Sequence, residues 1–276
     1  MIKNNSTIRK FCAILALVVL AIVFLPTSCT KELPDEPEGN FITMITQASE
    51  VSFYLQKLEA GDLSIGWGDG ERSITIDFEK ASDYYYSNIS HNYSLASAHH
   101  ITITGNISHL DCSANQLTEL DVSSNTELQR LDCTNNQLTK LDVSRNTILA
   151  VLYCGYNQLT ILDVSRNTAL VGLDCKNNQL TTLDVNRNTA LTDLCCNDNQ
   201  LTKLDMSNTA LTRLRCQYNQ LTTFALNDLF RTLPENLSLT KKSPDPWYHI
   251  YIYGNPGSSD CKVSIAEEKW WTVVAE

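Results

Sequence analysis

The sequence predicts a mainly β fold, a solenoid with short parallel strands on both sides, preceded by a small β region and closed by an α/β cap. Three observations predict it. The phrase "LDCTNNQLTKLDVSRNTIL" (residues 131–149) returns as "LDCSANQLTELDVSSNTEL" before it and "LDCKNNQLTTLDVNRNTAL" after it. Within each copy, L-x-C and L-x-V alternate apolar and polar residues, as short strands with one buried face do. Cysteine fills one column, Cys112, Cys133, Cys154, Cys175, Cys196 and Cys216, spaced by 21 residues four times and then by 20. The residue lost in the shorter copy is the one before Asn208, in "LDMSNTAL".

Each copy contains two nested halves. The first is clearest at Leu170, Leu173, Cys175, Asn178 and Leu180, and the second at Leu180, Leu183, Val185, Asn188 and Leu191. The pattern L-x-x-L-x-C-x-x-N-x-L resembles the leucine-rich repeat. Over residues 107–226 the chain is similar to the nested leucine-rich repeats of bacterial surface proteins, specifically those of Bacteroidetes. One turn cannot bury its apolar face alone, whereas stacked turns share a continuous core. Twenty-one residues with two strand signatures leave no room for a helix, and six turns at about 4.8 Å give a rod of about 30 Å.

In this arrangement the cysteines occupy the inward, leucine-equivalent position, where a thiol packs as a small hydrophobe. In-register neighbours pointing side by side have poor disulfide geometry, and a 21-residue spacing offers no C-x-x-C pair for zinc. Cys195 points outward beside Cys196 and is the thiol expected to react. Asn115, Asn136, Asn157, Asn178, Asn199 and Asn219, each opening "NQL", are expected to bond backbone groups at the turn.

Residues 41–105 are not repetitive. "ITMIT", "VSFYL", "LSIGWGDG", "SITIDF" and "HITITG" read as short strands between turns. "IGWGDG" with the later "SHNYS" and "ITITG" resembles the PKD-type β-sandwich, although a compact cap over the first solenoid turn fits the same strands. "GDG" reads as a turn, because no helix start with Lys-Ser/Thr follows it. His99 and His100 lack a third ligand at metal spacing and read as surface histidines. After Leu226 the repeat breaks: "NDLFRTLPENL" offers an Asn or Asp N-cap and a helical face ending at Pro234. "WYHIYIYGNPG" reads as strand and turn, and "SDCKVSIAEEKWWTVV" as a capped short helix and strand, with Trp270 and Trp271 in the cap core. Such a closure resembles the C-terminal cap of Bacteroidetes repeat proteins.

The first residues carry a different signal. Lys3, Arg9 and Lys10 precede an apolar run from Phe11 to Leu25, short for a membrane span and suited to secretion. "LPTSC" resembles a lipoprotein lipobox, which implies cleavage of residues 1–28 and a lipid on Cys29. Residues 29–40 are acidic and Pro-rich, a solvated tether; their Lys31–Glu32 pair resembles the signal that exports Bacteroidetes lipoproteins to the cell surface. Loss of residues 1–28 takes the formal charge from −10 to −13. So acidic a chain is repelled by phosphate backbones, which argues against nucleic acid, and leaves the lipid as the membrane attachment.

Outward strand positions escape the packing constraint, so their variation between copies is informative. On the Cys side the columns are mixed, and Arg130, Asp132, Val151, Tyr153, Asp174, Lys176, Asp193, Arg213 and Arg215 are the candidate partner-binding residues. Both charge signs with Arg and Tyr suit a protein partner, host or bacterial. On the Val side the column is uniform, Asp121, Asp142, Asp163, Asp184 and Asp205, beside Ser123, Ser144, Ser165, Asn186 and Ser207. Those carboxylates are expected to accept from Ser hydroxyls and turn amides, and they are weak calcium candidates. No cofactor is implied. Five histidines without an H-E-x-x-H, a nucleophile motif or a phosphate loop argue against an enzyme. Two other roles stay open: glycan binding through residues 41–105, with Trp67 and Tyr84–Tyr86 as candidates, and a passive spacer.

Overall fold

The computed structural model describes residues 39–57, 61–78, 87–94, 97–235 and 248–276. All lie within one compact unit, residues 37–276. The signal segment, Cys29 and most of the tether lie outside the described residues, as do Tyr84–Tyr86. No described helix is long and apolar enough to cross a membrane.

Six strands come before the repeats: β1 (Phe41–Thr46), β2 (Glu50–Gln56), β3 (Gly61–Gly66), β4 (Ile74–Phe78), β5 (Ser87–Asn92) and β6 (His99–Thr104). The sequence reading lacks β5 because "SNISHN" is almost wholly polar. The first turn supplies β7 (His109–Asp111) and β8 (Leu117–Asp121). Later turns each add one three-residue strand: β9 (Arg130–Asp132), β10 (Val151–Tyr153), β11 (Gly172–Asp174), β12 (Asp193–Cys195) and β13 (Arg213–Arg215). Helix α1 (Thr223–Thr232), strand β14 (His249–Tyr251), helix α2 (Ser264–Glu267) and strand β15 (Thr272–Val274) complete the fold.

These strands form two sheets, in the orders β4-β3-β6-β1-β8 and β15-β14-β13-β12-β11-β10-β9-β7-β2-β5. From β7 to β15 the long sheet is parallel, and its register aligns equivalent residues: Leu110 with Leu131, Leu131 with Leu152, and onward to Leu214 with Ile250. Each sheet continues from the first turn into residues 41–104, because β7 pairs antiparallel with β2 and β8 with β1. The open start of the solenoid, a strand edge above an apolar core, is thereby covered.

Asparagine side chains join the turns on the Cys side. Asn157 Oδ1 accepts from Leu138 N at 2.9 Å, while its Nδ2 donates to Cys133 O at 3.0 Å and Cys154 O at 3.1 Å. Asn178, Asn199 and Asn219 repeat these bonds one, two and three turns on. At the first turn, Asn115 instead pairs with β2: its Oδ1 accepts from Ser52 N and its Nδ2 donates to Ser52 O, both at 2.8 Å. Each amide thus meets backbone N–H and C=O groups that would otherwise be buried without partners.

The Val side differs from the expectation of a second row of parallel strands. Beyond β8 it forms no ladder, because its amides close tight turns within their own coil: Asn146 N donates to Val143 O, and Leu149 N to Asn146 O, both at 3.0 Å. The bond between coils comes from a second asparagine column. Asn146 Nδ2 donates to Val122 O at 3.0 Å and Asn125 O at 2.7 Å, and Asn167 and Asn188 do the same one and two turns later. The short copy ends this column, since Thr209 bonds Met206 O within its own turn at 2.9 Å.

The C-terminal region also departs from expectation. Helix α1 starts at Thr223, and Thr222 caps it by accepting from Ala225 N, so the cap lies upstream of the Asn or Asp of "NDLF". It buries Ala225, Leu226, Leu229 and Phe230 against the coil. Helix α2 has no side-chain cap. Strand β14 is a seventh solenoid turn rather than a separate element. Ile250 and Ile252 take the places of Leu and Cys, and Asn255 accepts from Leu221 N at 3.0 Å and donates to Cys216 O at 2.9 Å.

Removing the central asparagine breaks its bonds to both turns without changing the coil's outer surface. Asn157→Ala leaves Leu138 N–H unsatisfied in the core and takes one of two amide donors from each of the Cys133 and Cys154 carbonyls, which keep Asn136 Nδ2 and Asn178 Nδ2, at a cost of about 1–3 kcal/mol. Urea unfolding of this variant should show a clear fall in midpoint; a midpoint equal to wild type would refute the bridging role.

Candidate functional site

The parallel register places the candidate residues side by side. Arg130 and Asp132 stand next to Val151 and Tyr153; then come Gly172 and Asp174, Asp193 and Cys195, and Arg213 and Arg215. Lys176 lies just beyond Asp174 and donates to its Oδ2 at 2.6 Å. All nine candidates are partly exposed, while the Leu and Cys residues between them are buried. The alternation of a three-residue strand suffices for this: the middle residue faces the core and its two neighbours face out.

Charges and rings on this face contact one another. The Arg130 guanidinium lies 4.7 Å from the centre of the Tyr153 ring, and Arg215 lies 5.7 Å from the Tyr251 ring. Arg213 Nη1 is 3.2 Å from Asp193 Oδ1. Burial, with the nearby Arg130 charge, holds the His109 imidazole below its usual range. Such pairs fix long side chains in place before any partner arrives and so reduce the entropy lost on binding.

Sequence reasoning missed part of the face. His249 and Tyr251 stand in register with Arg213 and Arg215, and Tyr54 of β2 with Asp111. The signal for β14 was the spacing I-x-I-x-x-N at Ile250, Ile252 and Asn255, which copies L-x-C-x-x-N. A second omission is the residue before each ladder asparagine, which is left-handed in every turn: Ala114, Asn135, Tyr156, Asn177, Asp198 and Tyr218, with φ from 51° to 57°. Asn and Asp tolerate this conformation better than Tyr, for which it costs about 1–2 kcal/mol. Tyr156 and Tyr218 nonetheless sit there, 49% and 53% exposed. Lys176 Nζ lies 5.5 Å from the Tyr156 ring centre, and the Tyr218 ring covers Gly254, where any Cβ would collide with it.

The cysteine column is wall packing. All six thiols are free, fully buried, and pushed well up from their usual range, chiefly by that burial. Cys195 is partly exposed; burial raises its thiol as well, opposed by the Arg215 guanidinium, which donates to its Sγ at 3.5 Å.

On the Val side each carboxylate of the uniform column accepts the amide two residues on. Asp121, Asp142 and Asp163 accept from Ser123, Ser144 and Ser165 at 2.8 Å, and Asp184 and Asp205 from Asn186 and Ser207 at 2.9 Å. Ser hydroxyls and amides hold Asp142, Asp163 and Asp205 below the usual carboxylate range. The column is therefore a turn device. Among the described residues, the set of three His, Cys or carboxylate groups whose donor atoms approach within 4.8 Å is Asp69, Glu71 and His91, not members of this column.

Three expectations for the flanks need correction. Trp67 is no exposed platform; it is 2% exposed, with ring centres 6.2 Å from Phe53 and 4.5 Å from His91 in stacked geometry. His99 is buried rather than on the surface, stacked 3.7 Å from Tyr93, while His100 is exposed. Trp271 is in the cap core, with Nε1 donating to Pro234 O at 3.0 Å, but Trp270 is 46% exposed.

No family model and no curated protein matches the chain. Solved structures do. The functional domain of InlJ from Listeria monocytogenes, which includes a cysteine ladder, is 34% identical, with 58% of this chain and 37% of that one covered and a TM-score of 0.42. An internalin, InlF, from Listeria monocytogenes strain 4b F2365 is 22% identical over 56% of this chain and 44% of its own, with a TM-score of 0.46. A leucine-rich-repeat protein of Leptospira interrogans is 23% identical over 60% and 48%, with a TM-score of 0.46. The chain spans less than half the length of each.

Alkylation under native conditions should modify Cys195 and Cys261, which are partly exposed, and leave the six column thiols untouched until denaturant is added. Peptide mapping that finds Cys154 or Cys175 labelled as fast as Cys195 would contradict the packing role.

Proposed function

We propose that this protein is a non-catalytic binding protein that captures a protein partner, host or bacterial, through the outward residues of its long sheet. The observation that supports this reading most directly is the register. It gathers Arg130, Asp132, Tyr153, Asp174, Lys176, Arg213 and Arg215 on one ordered ladder, whereas the opposite Asp column repeats one turn device. Arginine and tyrosine held by cation–π contact are the side chains that anchor interfaces, and Asp and Arg in alternation select a partner by charge. The glycan alternative at residues 41–105 loses its main candidate, since Trp67 is buried in the β region.

Simultaneous replacement of Arg130, Tyr153, Arg213 and Arg215 by Ala should weaken partner capture by about a hundredfold or more, because each lost anchor costs about 1 kcal/mol or more. The melting temperature should change little, as none of the four fills the core. Capture at wild-type affinity by the fourfold variant would remove the face from consideration.

The same proposal holds the chain at the surface of a Bacteroidetes-like outer membrane through a lipid on Cys29, supported by the basic start, the apolar run and "LPTSC". Cells fed labelled palmitate should label the protein, and Cys29→Ala should abolish both label and membrane retention. A variant that stayed in the membrane fraction would disprove the anchor.

A further inference from the structure

We propose that Asp69, Glu71 and His91 form a site for a zinc-class divalent ion that ties the two sheets together at the start of the solenoid. The donor atoms of the three side chains lie within 4.8 Å of one another, and His91 Nε2 is 2.6 Å from Asp69 Oδ2. Donors bound to zinc at about 2.1 Å stand about 3.4 Å apart, so small rotations of the carboxylates close the set on one ion, with water completing the tetrahedron. The imidazole needs no rearrangement. It stacks on Trp67 with 7° between planes, and Tyr93 meets it at 78° from the other direction. Tyr93 in turn donates its hydroxyl proton to Trp67 O at 3.0 Å, which fixes both rings.

Charge argues in the same direction. Asp69 and Glu71 bring two carboxylates to one small space, and a protonated His91 neutralises only one of them. A divalent ion neutralises both and takes the place of the proton between Nε2 and Oδ2, which passes to solvent. The imidazole nitrogen selects against calcium and magnesium, which prefer all-oxygen shells, and in favour of zinc, copper or nickel. Asp69 and Glu71 sit in the connection between β3 and β4, in one sheet, and His91 in β5, in the other. An ion held by all three would cross-link the sheets where no solenoid asparagine reaches. The inference is independent of the strand face.

The test is calorimetric titration of the full chain with zinc chloride, together with melting in the presence and absence of the ion. One zinc should bind per chain and raise the melting temperature. Glu71→Gln, at an exposed position, should leave the ion-free melting temperature unchanged and weaken zinc binding by about tenfold or more; His91→Gln should abolish it. Copper(II) should quench Trp67 fluorescence through its stacked neighbour, a signal that Trp67→Phe removes. The site is refuted if zinc does not saturate, or if both ligand variants bind it as wild type does. Preference for calcium over zinc in the same titration would overturn the choice of ion.

Discussion

Each coil of this protein is joined to the next by an asparagine whose side-chain amide stands in for a peptide group. Its Oδ1 takes an N–H from the preceding turn, and its Nδ2 supplies a proton to carbonyls of both turns. A strand of three residues has too few backbone bonds to hold a coil in register alone. The amide adds bonds at the point where the chain must leave the sheet and turn. The rest of the architecture depends on that bridge: equivalent leucines stack on leucines, thiols on thiols, and outward side chains fall into straight columns.

That regularity separates structural residues from informative ones. A carboxylate that accepts the amide two residues on is needed in every turn, so Asp142, Asp163 and Asp205 are the same residue for the same reason. Arg130, Tyr153 and Arg213 meet no such demand, and the columns they occupy vary. Tyr156 and Tyr218 go further, because a left-handed backbone there favours Asn, Asp or Gly. Bulky exposed rings at those two positions cost stability, and their place at the rim of the candidate face gives a reason for keeping them.

Much of the solenoid was legible in the sequence because each coil repeats a local requirement. Leu and Cys at alternate positions specify inward packing, and Asn in "NQL" specifies the turn. The Val side was read less well, since "LDV" alternates like a strand but the Val carbonyls are taken by tight-turn amides and by Nδ2 of Asn146, Asn167 and Asn188. Strand β5 escaped notice because its pairing partners lie 32 to 42 residues away, and its own sequence is polar. Trp67 and His99 were misread for the same reason: an aromatic residue in a turn-rich stretch looks exposed until its neighbours are known.

The sequence by itself determined the coil: its period, its inward column, its turn asparagines and the residues free to vary. Those follow from interactions within one turn and its copies, so 21 residues contain them. Tertiary structure alone decided what lies at the two ends and beside the ladder. It brought β2 against β7, made β14 a seventh turn carrying Tyr251 onto the candidate face, and set His91 against Asp69. These contacts join segments without a shared period, across 22 to 57 residues of chain, and only the closed fold brings them together.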